Sequence, residues 1–570
     1  MWRSVTEWIT GGRVRPVASL GLLVAAVYGA ALGFAFVRWD DPVNITHNPL
    51  LSEPWSRDLL AKLVNGDTAL RFKPLVWLLY RATHALFGFN PAAWHALNLG
   101  LHLAAVVMGW VMLRALLARL RPATPAATRD LLAWLGAAVW AVHPAHVEAA
   151  VWATATPYPL MVFFLLGSFW FYLRATDPAN HGGARALFFK AWLCALASYL
   201  SYPVGVTYGA WLMVADLWVF RLAPLTRERR REIPAWLLRH ALFLLPAVAS
   251  VIVTFKSSST TPWLYPAPAT LAEVDVFVRL KMGAAMLGSV WTHFFWPFGL
   301  TPNNPMLPAA MVHGPMILGM AAFSVALCLA AIFLHRRFPG WTAVFFGTSV
   351  LALPVLGFTQ WPTWSVADRH VYLPHLVLVG AIVVWLASRE SIWFSPNSVR
   401  AEPARRPGST FVPAALLLVA ALAWLGHRQV MIWRNTDSLF RYVAAQPAFT
   451  WNPTQQAYIY QLWGAQFAED GEPARAQEKH TQARRIFQEG MFAAAERGQW
   501  HEAVELSRHL EQSYGLPPGL RRERVRWLIQ LGRLAEAQAD LAILQRALPG
   551  DPGVEELLRA WSQRAAGNHL

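Results

Sequence analysis

Two adjacent carboxylates, Asp40 and Asp41, follow the first long apolar run of the sequence. That run, residues 16–37, is almost continuously hydrophobic and long enough to cross a bilayer. An acidic pair at this exit can accept a proton from an acceptor hydroxyl at the membrane surface. A hydrated cap on the end of the helix is the alternative. The turn that follows, Asn44 to Pro49, is polar without being a run of solubilising charge, which favours chemistry at the membrane–water boundary.

A stripe of polar residues lies in the second long apolar segment. His95, Asn98 and His102 fall at i, i+3 and i+7, on one face of the predicted helix. Polar residues within a span face either a cavity or another helix, so both substrate binding and interhelical hydrogen bonding stay open. Lys73, in the block before this helix, is a further candidate for substrate binding.

The segment His143-Pro144-Ala145-His146-Val147-Glu148 closes the third apolar run. Two histidines and a glutamate suggest zinc, but the spacing lacks the helical pattern of two histidines four residues apart, and Pro144 breaks the helix. We therefore predict no metal. We expect a hydrogen-bonding cluster that faces the acidic pair, with Glu148 orienting a substrate hydroxyl or holding a histidine.

A basic residue, Arg369, follows Asp368 at the start of the tenth apolar segment. An arginine on that rim can hold a phosphate by paired hydrogen bonds. The alternative is that its side chain only snorkels to the interface.

The composition is that of a polytopic membrane protein. Only 14% of the 570 residues are charged, whereas soluble proteins carry about 25%. The net charge of +16 comes from arginines between the apolar runs, the positive-inside pattern, which argues against nucleic-acid binding. Cys194 and Cys328 both lie in apolar runs, so neither a disulfide framework nor a zinc site can be built from them.

Eleven apolar segments are predicted to span the membrane. They are residues 17–38, 93–118, 131–149, 156–175, 184–200, 203–221, 236–256, 315–335, 341–358, 371–388 and 410–427. No cleavage signal follows the first run, so we expect it to be a retained helix. With the N-terminus inside, the arginine clusters fall inside and the C-terminus outside.

Several connecting segments then lie on the outer side. The outer loops are residues 39–92, 257–314 and 359–370, and the inner connections are 176–183, 222–235 and 389–409. Residues 72–88 are predicted to lie along the outer interface. Residues 278–297 are either re-entrant or interfacial.

The chain changes character near its end, which predicts a membrane domain at residues 1–428 and a helical domain at 429–570. Each of Gly471, Gly498 and Gly532 is followed five residues later by an alanine, at intervals of 27 and 34 residues. Tetratricopeptide repeats have a period of about 34 residues, and a short array of them is a docking surface. A plain helical bundle is the alternative.

The motifs, taken in order, resemble membrane O-mannosyltransferase relatives that join a polytopic enzyme domain to tetratricopeptide repeats, within the GT-C superfamily of lipid-phosphosugar glycosyltransferases. The matching positions are Asp40-Asp41 with Asn48, Phe72 to Leu75, Phe87 to Pro91, His95, Asn98 and His102, His143 to Glu148, Asp368 to Pro374, and Trp433 to Asn435.

The resemblance implies an all-α, GT-C-like bundle that transfers a sugar from a polyprenyl-phosphate donor to a hydroxyl of a protein or glycan, with inversion. It implies Asp40 or Asp41 as general base and no cofactor beyond the donor, and it implies that the repeats bind protein partners. The residues assigned to substrate binding are His95, His143, His146, Glu148, Arg369 and Lys73.

The chain also departs from the family pattern. Tyr158 and Tyr202-Pro203 stand where relatives carry ionisable residues, and Lys73 replaces an arginine. These changes favour an alternative, a non-catalytic scaffold that keeps the fold and holds partners through the repeats. A transporter is a third hypothesis, although no inverted repeat stands out. The Ala-, Arg- and Pro-rich composition suggests the cytoplasmic membrane of a bacterium, with the C-terminal domain extracytoplasmic.

Overall fold

The computed structural model describes residues 12, 14–65, 72–180, 182–260, 275–302, 313–357, 367–389 and 408–567. Parts of the predicted loops lie outside the described residues, namely 66–71, 181, 261–274, 303–312, 358–366 and 390–407. The described residues form helices and turns and contain no strand, so the prediction of an all-α fold is confirmed. The chain divides into two compact units, residues 1–446 and 447–570.

The first unit contains sixteen described α-helices, which we number in chain order. They are α1 (Val14–Tyr28), α2 (Arg57–Asn65), α3 (Pro74–Phe87), α4 (Pro91–Leu120), α5 (Ala126–Val142), α6 (Val147–Val151), α7 (Pro157–Ala175), α8 (Ala184–Ser201), α9 (Tyr208–Val214), α10 (Ile233–Thr260), α11 (Val276–Phe295), α12 (Pro315–Phe333), α13 (Pro339–Ala352), α14 (His375–Ser388), α15 (Gly408–Met431) and α16 (Thr436–Ala444).

Six helical segments in the described part of the chain are long and apolar enough to cross a membrane. They are Val14–Gly33, Pro91–Leu120, Ala153–Ala175, Arg230–Thr254, Pro315–Phe333 and Phe411–Met431. Two shorter apolar helical segments are Pro339–Val355 and His375–Ser388. All eight overlap predicted spans, and the prediction of a multi-pass membrane protein is confirmed.

Two predicted spans are interrupted. The span predicted at 131–149 ends as a helix at Val142, and a 3₁₀ turn, Pro144–His146, then precedes α6. Proline lacks the N–H that would continue the helical ladder, so the chain turns at Pro144. The span predicted at 203–221 is divided into the 3₁₀ turn Pro203–Thr207, α9, and a π-helical turn from Ala215 to Val219.

Asparagine and proline set the start of α4. The Asn90 side chain accepts a hydrogen bond from the Ala92 backbone N–H at 3.1 Å. Pro91 then occupies the first helical position, where its missing N–H costs nothing. The segments at 72–88 and 278–297 also fold as helices, α3 and α11, and their placement at the membrane surface stays a prediction.

The ends of several long helices are held together by close contacts. The Tyr28 hydroxyl donates to the Ala141 carbonyl at 2.8 Å, and the Trp140 indole donates to the Tyr372 carbonyl at 3.0 Å. A Cβ at Gly426 would lie 2.7 Å from the Val142 carbonyl oxygen, so only glycine allows α15 to approach α5 this closely. These contacts bring the ends of α1 and α5 beside the start of α14.

The second unit is a succession of six helices, each packed on the next. They are α17 (Pro453–Glu469), α18 (Pro473–Glu496), α19 (Trp500–Tyr514), α20 (Pro518–Gln530), α21 (Leu534–Ala547) and α22 (Pro552–Gly567). The three repeat glycines have φ between 71° and 76° at the turns, and the alanines that follow them are buried, at most 6% exposed. The glycines thus allow the turns and the alanines allow close packing, while the assignment to tetratricopeptide repeats stays a prediction. The helix α16, predicted to belong to this domain, lies in the first unit.

Candidate active site at the ends of the helices

The two carboxylates of the acidic pair occupy different environments. Asp40 is exposed, whereas Asp41 is only 1% exposed. The Asp41 carboxylate accepts the Val37 backbone N–H at 2.8 Å and the Thr154 hydroxyl at 2.5 Å. It therefore joins the end of the first apolar segment to the turn just before α7, and Asp40 is the member of the pair that a substrate can reach.

Burial raises the pKa of Asp41 to about 7, with a contribution from the charge of Asp40. The hydrogen bonds from Thr154 and Val37 oppose this shift because they favour the ionised form. Asp41 therefore changes charge near neutral pH.

Arg369 and Glu148 form a buried ion pair. The Glu148 carboxylate accepts the Arg369 backbone N–H at 2.8 Å and also a hydrogen bond from its guanidinium group. The guanidinium carbon lies 5.4 Å from the centre of the Trp152 ring, within the range of a cation–π contact. The sequence analysis expected Glu148 to hold a histidine or a hydroxyl, but it holds and orients Arg369.

The charges of these residues act on one another. Burial opposes the charged form of Arg369, but Glu148 and, more weakly, Asp40 raise its pKa above the usual value. Burial raises the pKa of Glu148 despite the opposing effect of Arg369, and Asp40 contributes to the rise. Burial also raises the pKa of Asp368 well above its usual value, with a contribution from Glu148. An accessible carboxylate and a fixed guanidinium thus share one site.

Lys73 supports the turn that carries the acidic pair. Its ammonium donates to the Asn44 side-chain oxygen at 2.7 Å and lies 4.3 Å from the centre of the Trp77 ring. The Asn44 amide in turn donates to the Asp40 carbonyl at 2.9 Å. Lys73 is 4% exposed and supports this turn, while its predicted contact with substrate stays a prediction.

The polar residues on one face of α4 contact backbone carbonyl groups. His95 contacts the Val151 carbonyl at 2.9 Å through Nδ1, and His102 contacts the Ala141 carbonyl at 3.0 Å through Nε2. Asn98 donates to the Trp152 carbonyl. His95 is 3% exposed, and its contact with Val151 fits the interhelical alternative, while its predicted contact with substrate stays a prediction.

His143 and His146 are buried, at 1% and 0% exposure, and do not contact Glu148. They lie with His375, a residue that the sequence analysis did not single out. The cluster predicted to face the acidic pair instead faces the start of α14.

Two tyrosines lie beside Arg369. Tyr158 and Tyr202 are 4% and 6% exposed, and their ring centres are 4.9 Å apart. Both tyrosines contribute to the rise of the pKa of Arg369 above its usual value. Aromatic rings therefore occupy part of the site where relatives are expected to carry ionisable groups.

The structure also contains a large apolar cavity. Its volume is about 1060 Å³, and it follows α14 from Leu373, four residues after Arg369, to Ser388. Tyr208, Trp211 and Trp341 line it, and Arg121, Arg221 and Arg337 are the basic residues in its wall. The 14 residues of α14 make a path about 20 Å long, which is suited to an extended hydrocarbon chain.

The contributions of Thr154, Trp152 and His375 could not be read from spacing. Thr154 is a polar residue in an apolar stretch, and His375 follows Pro374 at the start of a predicted span. The Thr154 hydroxyl contacts Asp41, 113 positions away, and His375 contacts His146, 229 positions away, so neither pairing shows in the sequence.

Comparison with known proteins shows a limited sequence similarity. No protein-family model matches the chain. Protein O-mannosyl-transferase TMTC2 of Mus musculus is 26% identical over 214 residues, which cover 35% of this chain and 24% of that protein. The Homo sapiens protein of the same name gives the same values. The match thus spans about a quarter of the length of these curated relatives, and the resemblance to O-mannosyltransferase relatives is confirmed as a sequence similarity.

Among solved structures, ArnT from Cupriavidus metallidurans bound to undecaprenyl phosphate aligns with 90% of this chain and 80% of that chain. The TM-score is 0.34 and the identity is 12%.

Proposed function

We propose that this protein is a membrane glycosyltransferase that moves a sugar from a polyprenyl-phosphate donor to a hydroxyl acceptor on the extracytoplasmic face. The observation that carries the proposal is the exposed Asp40 carboxylate, whose charge contributes to the raised pKa of Arg369 in the fixed Arg369–Glu148 pair. A base and a cation are the two groups that displacement of a phosphate by a hydroxyl requires.

In the proposed reaction, Asp40 accepts the proton of the acceptor hydroxyl as its oxygen bonds to the anomeric carbon of the sugar. The bond from that carbon to the phosphate oxygen breaks, and the electron pair leaves with polyprenyl phosphate. Attack opposite the leaving group inverts the anomeric carbon. Arg369, aimed by Glu148, stabilises the negative charge that develops on the phosphate.

The lipid portion of the donor is assigned to the apolar cavity. Leu373, part of its lining, is four residues after Arg369, which supports a donor whose first isoprene units lie near a phosphate held by Arg369. The walls are apolar and aromatic, as burial of a hydrocarbon chain requires. The acceptor, a protein or glycan hydroxyl, would approach from the exposed side of Asp40.

The test is turnover of a polyprenyl-phosphate sugar by the full-length protein in proteoliposomes. Polyprenyl-phosphate mannose is the first donor because of the similarity to O-mannosyl-transferases, and release of polyprenyl phosphate is the readout. Asp40→Asn should reduce turnover by at least about 100-fold, the usual contribution of a general base.

Asp58→Asn is the matched control. Asp58 is also an exposed carboxylate of the segment after the first span, and it pairs with Lys62 at 2.7 Å. Its replacement should leave turnover unchanged. Equal turnover by wild type and the Asp40→Asn variant would contradict the proposal.

The tyrosines favour a second candidate, a non-catalytic scaffold derived from such an enzyme. Tyr158 and Tyr202 bury their rings at positions where relatives are expected to carry ionisable groups, so a cation that could hold the donor phosphate is missing there. In that case residues 447–570 would hold protein partners, as expected of a helical-repeat surface.

A cell that lacks the native protein distinguishes the two candidates. Under the scaffold hypothesis, Asp40→Asn restores every phenotype of the deletion, and a chain that ends at residue 446 does not. Under the transferase hypothesis, Asp40→Asn fails to restore glycosylation of the cell-envelope product.

A further inference from the structure

Three buried histidines converge at the start of α14, outside the Asp40–Arg369 site. The nitrogens of His143, His146 and His375 that face the cluster lie within 4.8 Å of one another. His146 Nε2 and His375 Nδ1 are 3.1 Å apart. All three residues are at most 1% exposed.

The outer nitrogen of each ring faces a backbone carbonyl. His146 Nδ1 lies 2.7 Å from the Trp140 oxygen, and His375 Nε2 lies 3.0 Å from the Val290 oxygen. His143 Nε2 lies 3.1 Å from the Phe294 oxygen. A carbonyl can only accept, so each of these nitrogens carries the proton of a neutral imidazole.

In these tautomers, two ring nitrogens that each carry a lone pair face each other. With their protons on the carbonyl side, His146 Nε2 and His375 Nδ1 are both unprotonated and cannot hydrogen-bond across 3.1 Å. His143 Nδ1 is also unprotonated and accepts only a long contact, 3.3 Å, from the Ala145 N–H. A cation between the rings resolves the conflict, and imidazole–carbonyl pairing is the usual way in which proteins orient metal-binding histidines.

We infer that His143, His146 and His375 form a binding site for a transition-metal ion, with Zn²⁺ as the best fit. The three donors are neutral imidazole nitrogens, which suit zinc and copper, whereas Mg²⁺ and Ca²⁺ require oxygen ligands. A metal would replace the long Ala145 contact of His143. From the sequence, no metal is predicted at this segment because His143 and His146 lack the helical spacing and Pro144 breaks the helix. The third histidine, His375, lies 229 residues from His146.

The position of the site gives the metal a structural role in the arrangement of the charged residues. His146 lies two residues before Glu148, and His375 lies six residues after Arg369. A metal bound to both would fix the segment that carries Glu148 against the segment that carries Arg369. His143 and His375 also contact carbonyls of α11, so three separate parts of the chain meet at this point.

The test is the metal content and the metal-dependent stability of the full-length protein, purified in detergent without a polyhistidine tag. Elemental analysis should find close to one zinc per chain. A strong chelator should lower the melting temperature, and added Zn²⁺ should restore it. Co²⁺ added to the stripped protein should give the visible absorption of cobalt bound by nitrogen ligands.

His146→Gln and His375→Gln should each lose the zinc and the Co²⁺ absorption. His102→Gln is the matched control, because His102 is equally buried but both of its ring nitrogens are engaged, by the Tyr372 hydroxyl at 2.7 Å and the Ala141 carbonyl. It should keep the metal.

The measurements on wild type decide the question even if the variants fail to fold. Metal well below one ion per chain, together with a melting temperature that neither chelator nor Zn²⁺ moves, would overturn the inference. Retention of zinc by a folded His146→Gln variant would do the same. Both results are independent of whether the protein transfers a sugar.

Discussion

Glu148 accepts both the backbone N–H and the guanidinium of Arg369, a residue 221 positions later in the chain. The carboxylate is 2% exposed and the guanidinium 17%, so neither charge can rely on water if the other is removed. The pair therefore fixes the start of the α14 segment against α6, and it keeps a cation oriented beside Asp40.

Removal of one partner of this pair should lower the stability of the protein. Glu148→Ala leaves Arg369 buried without its partner, and we expect the free energy of unfolding to fall by about 3–5 kcal/mol. The double variant Glu148→Leu, Arg369→Met should recover much of that loss but have no transferase activity. Thermal melting in detergent, together with turnover of a polyprenyl-phosphate sugar, measures both effects. A double variant as unstable as Glu148→Ala would contradict a direct coupling between the two residues.

The raised pKa of Asp41 predicts a pH-dependent stability. In the folded chain burial raises this pKa from its usual value of 3.8 to about 7, so between these values the folded state binds a proton that the unfolded chain has released. The stability contributed by Asp41 therefore falls as the pH rises through this window and stays low above it. Asp41→Asn, which is neutral throughout, should melt higher than wild type at pH 8 and close to wild type near pH 4.

Asp40→Asn is the control for that series. Asp40 is exposed, so its replacement should give a much smaller pH-dependent difference in melting temperature. The difference in melting temperature between Asp41→Asn and wild type could instead stay constant from pH 4 to pH 8. That result would show that burial does not raise the pKa of Asp41 in the folded protein.

Sequence patterns predicted the helices that carry the site residues better than they predicted which residues contact one another. The apolar runs identified the helices that carry the Asp40-Asp41 turn and Glu148, because the thickness of the bilayer fixes the length of a span. The pairing of Asp41 with Thr154 and the meeting of His146 with His375 depend on how helices pack. No periodicity encodes contacts of this kind. The interruption at Pro144 was noted in the sequence, yet its consequence, the separate helix α6 that carries Glu148, needed the structure.

Another buried carboxylate, Asp216, should matter for stability and not for chemistry. One of its oxygens accepts from the Tyr172 hydroxyl at 2.8 Å, the Trp236 indole at 3.0 Å and the Arg239 guanidinium at 2.7 Å. Asp216→Asn weakens these charge-assisted bonds and should lower the free energy of unfolding by about 1–3 kcal/mol. Thermal melting of the full-length protein in detergent measures the loss.

Asp130→Asn provides the comparison for Asp216. Asp130 pairs with Arg114 at 2.7 Å, but the two side chains are 27% and 36% exposed, and such pairs contribute about 0–1 kcal/mol. Equal destabilisation by the two substitutions would contradict the importance assigned to the Asp216 cluster.

The turn glycines of the second unit give a test of its packing. Gly532 has a φ of 71°, a conformation that costs an L-residue about 1 kcal/mol. Gly532→Ala should therefore destabilise the unit, which a faster limited proteolysis of residues 447–570 in the full-length chain would show. Gly519 lies in the first turn of α20, where an added Cβ meets no atom within 4 Å. Gly519→Ala should leave proteolysis unchanged or slow it, because alanine favours the helix. If both substitutions accelerate cleavage equally, the left-handed turn at Gly532 is not what limits the stability of this unit.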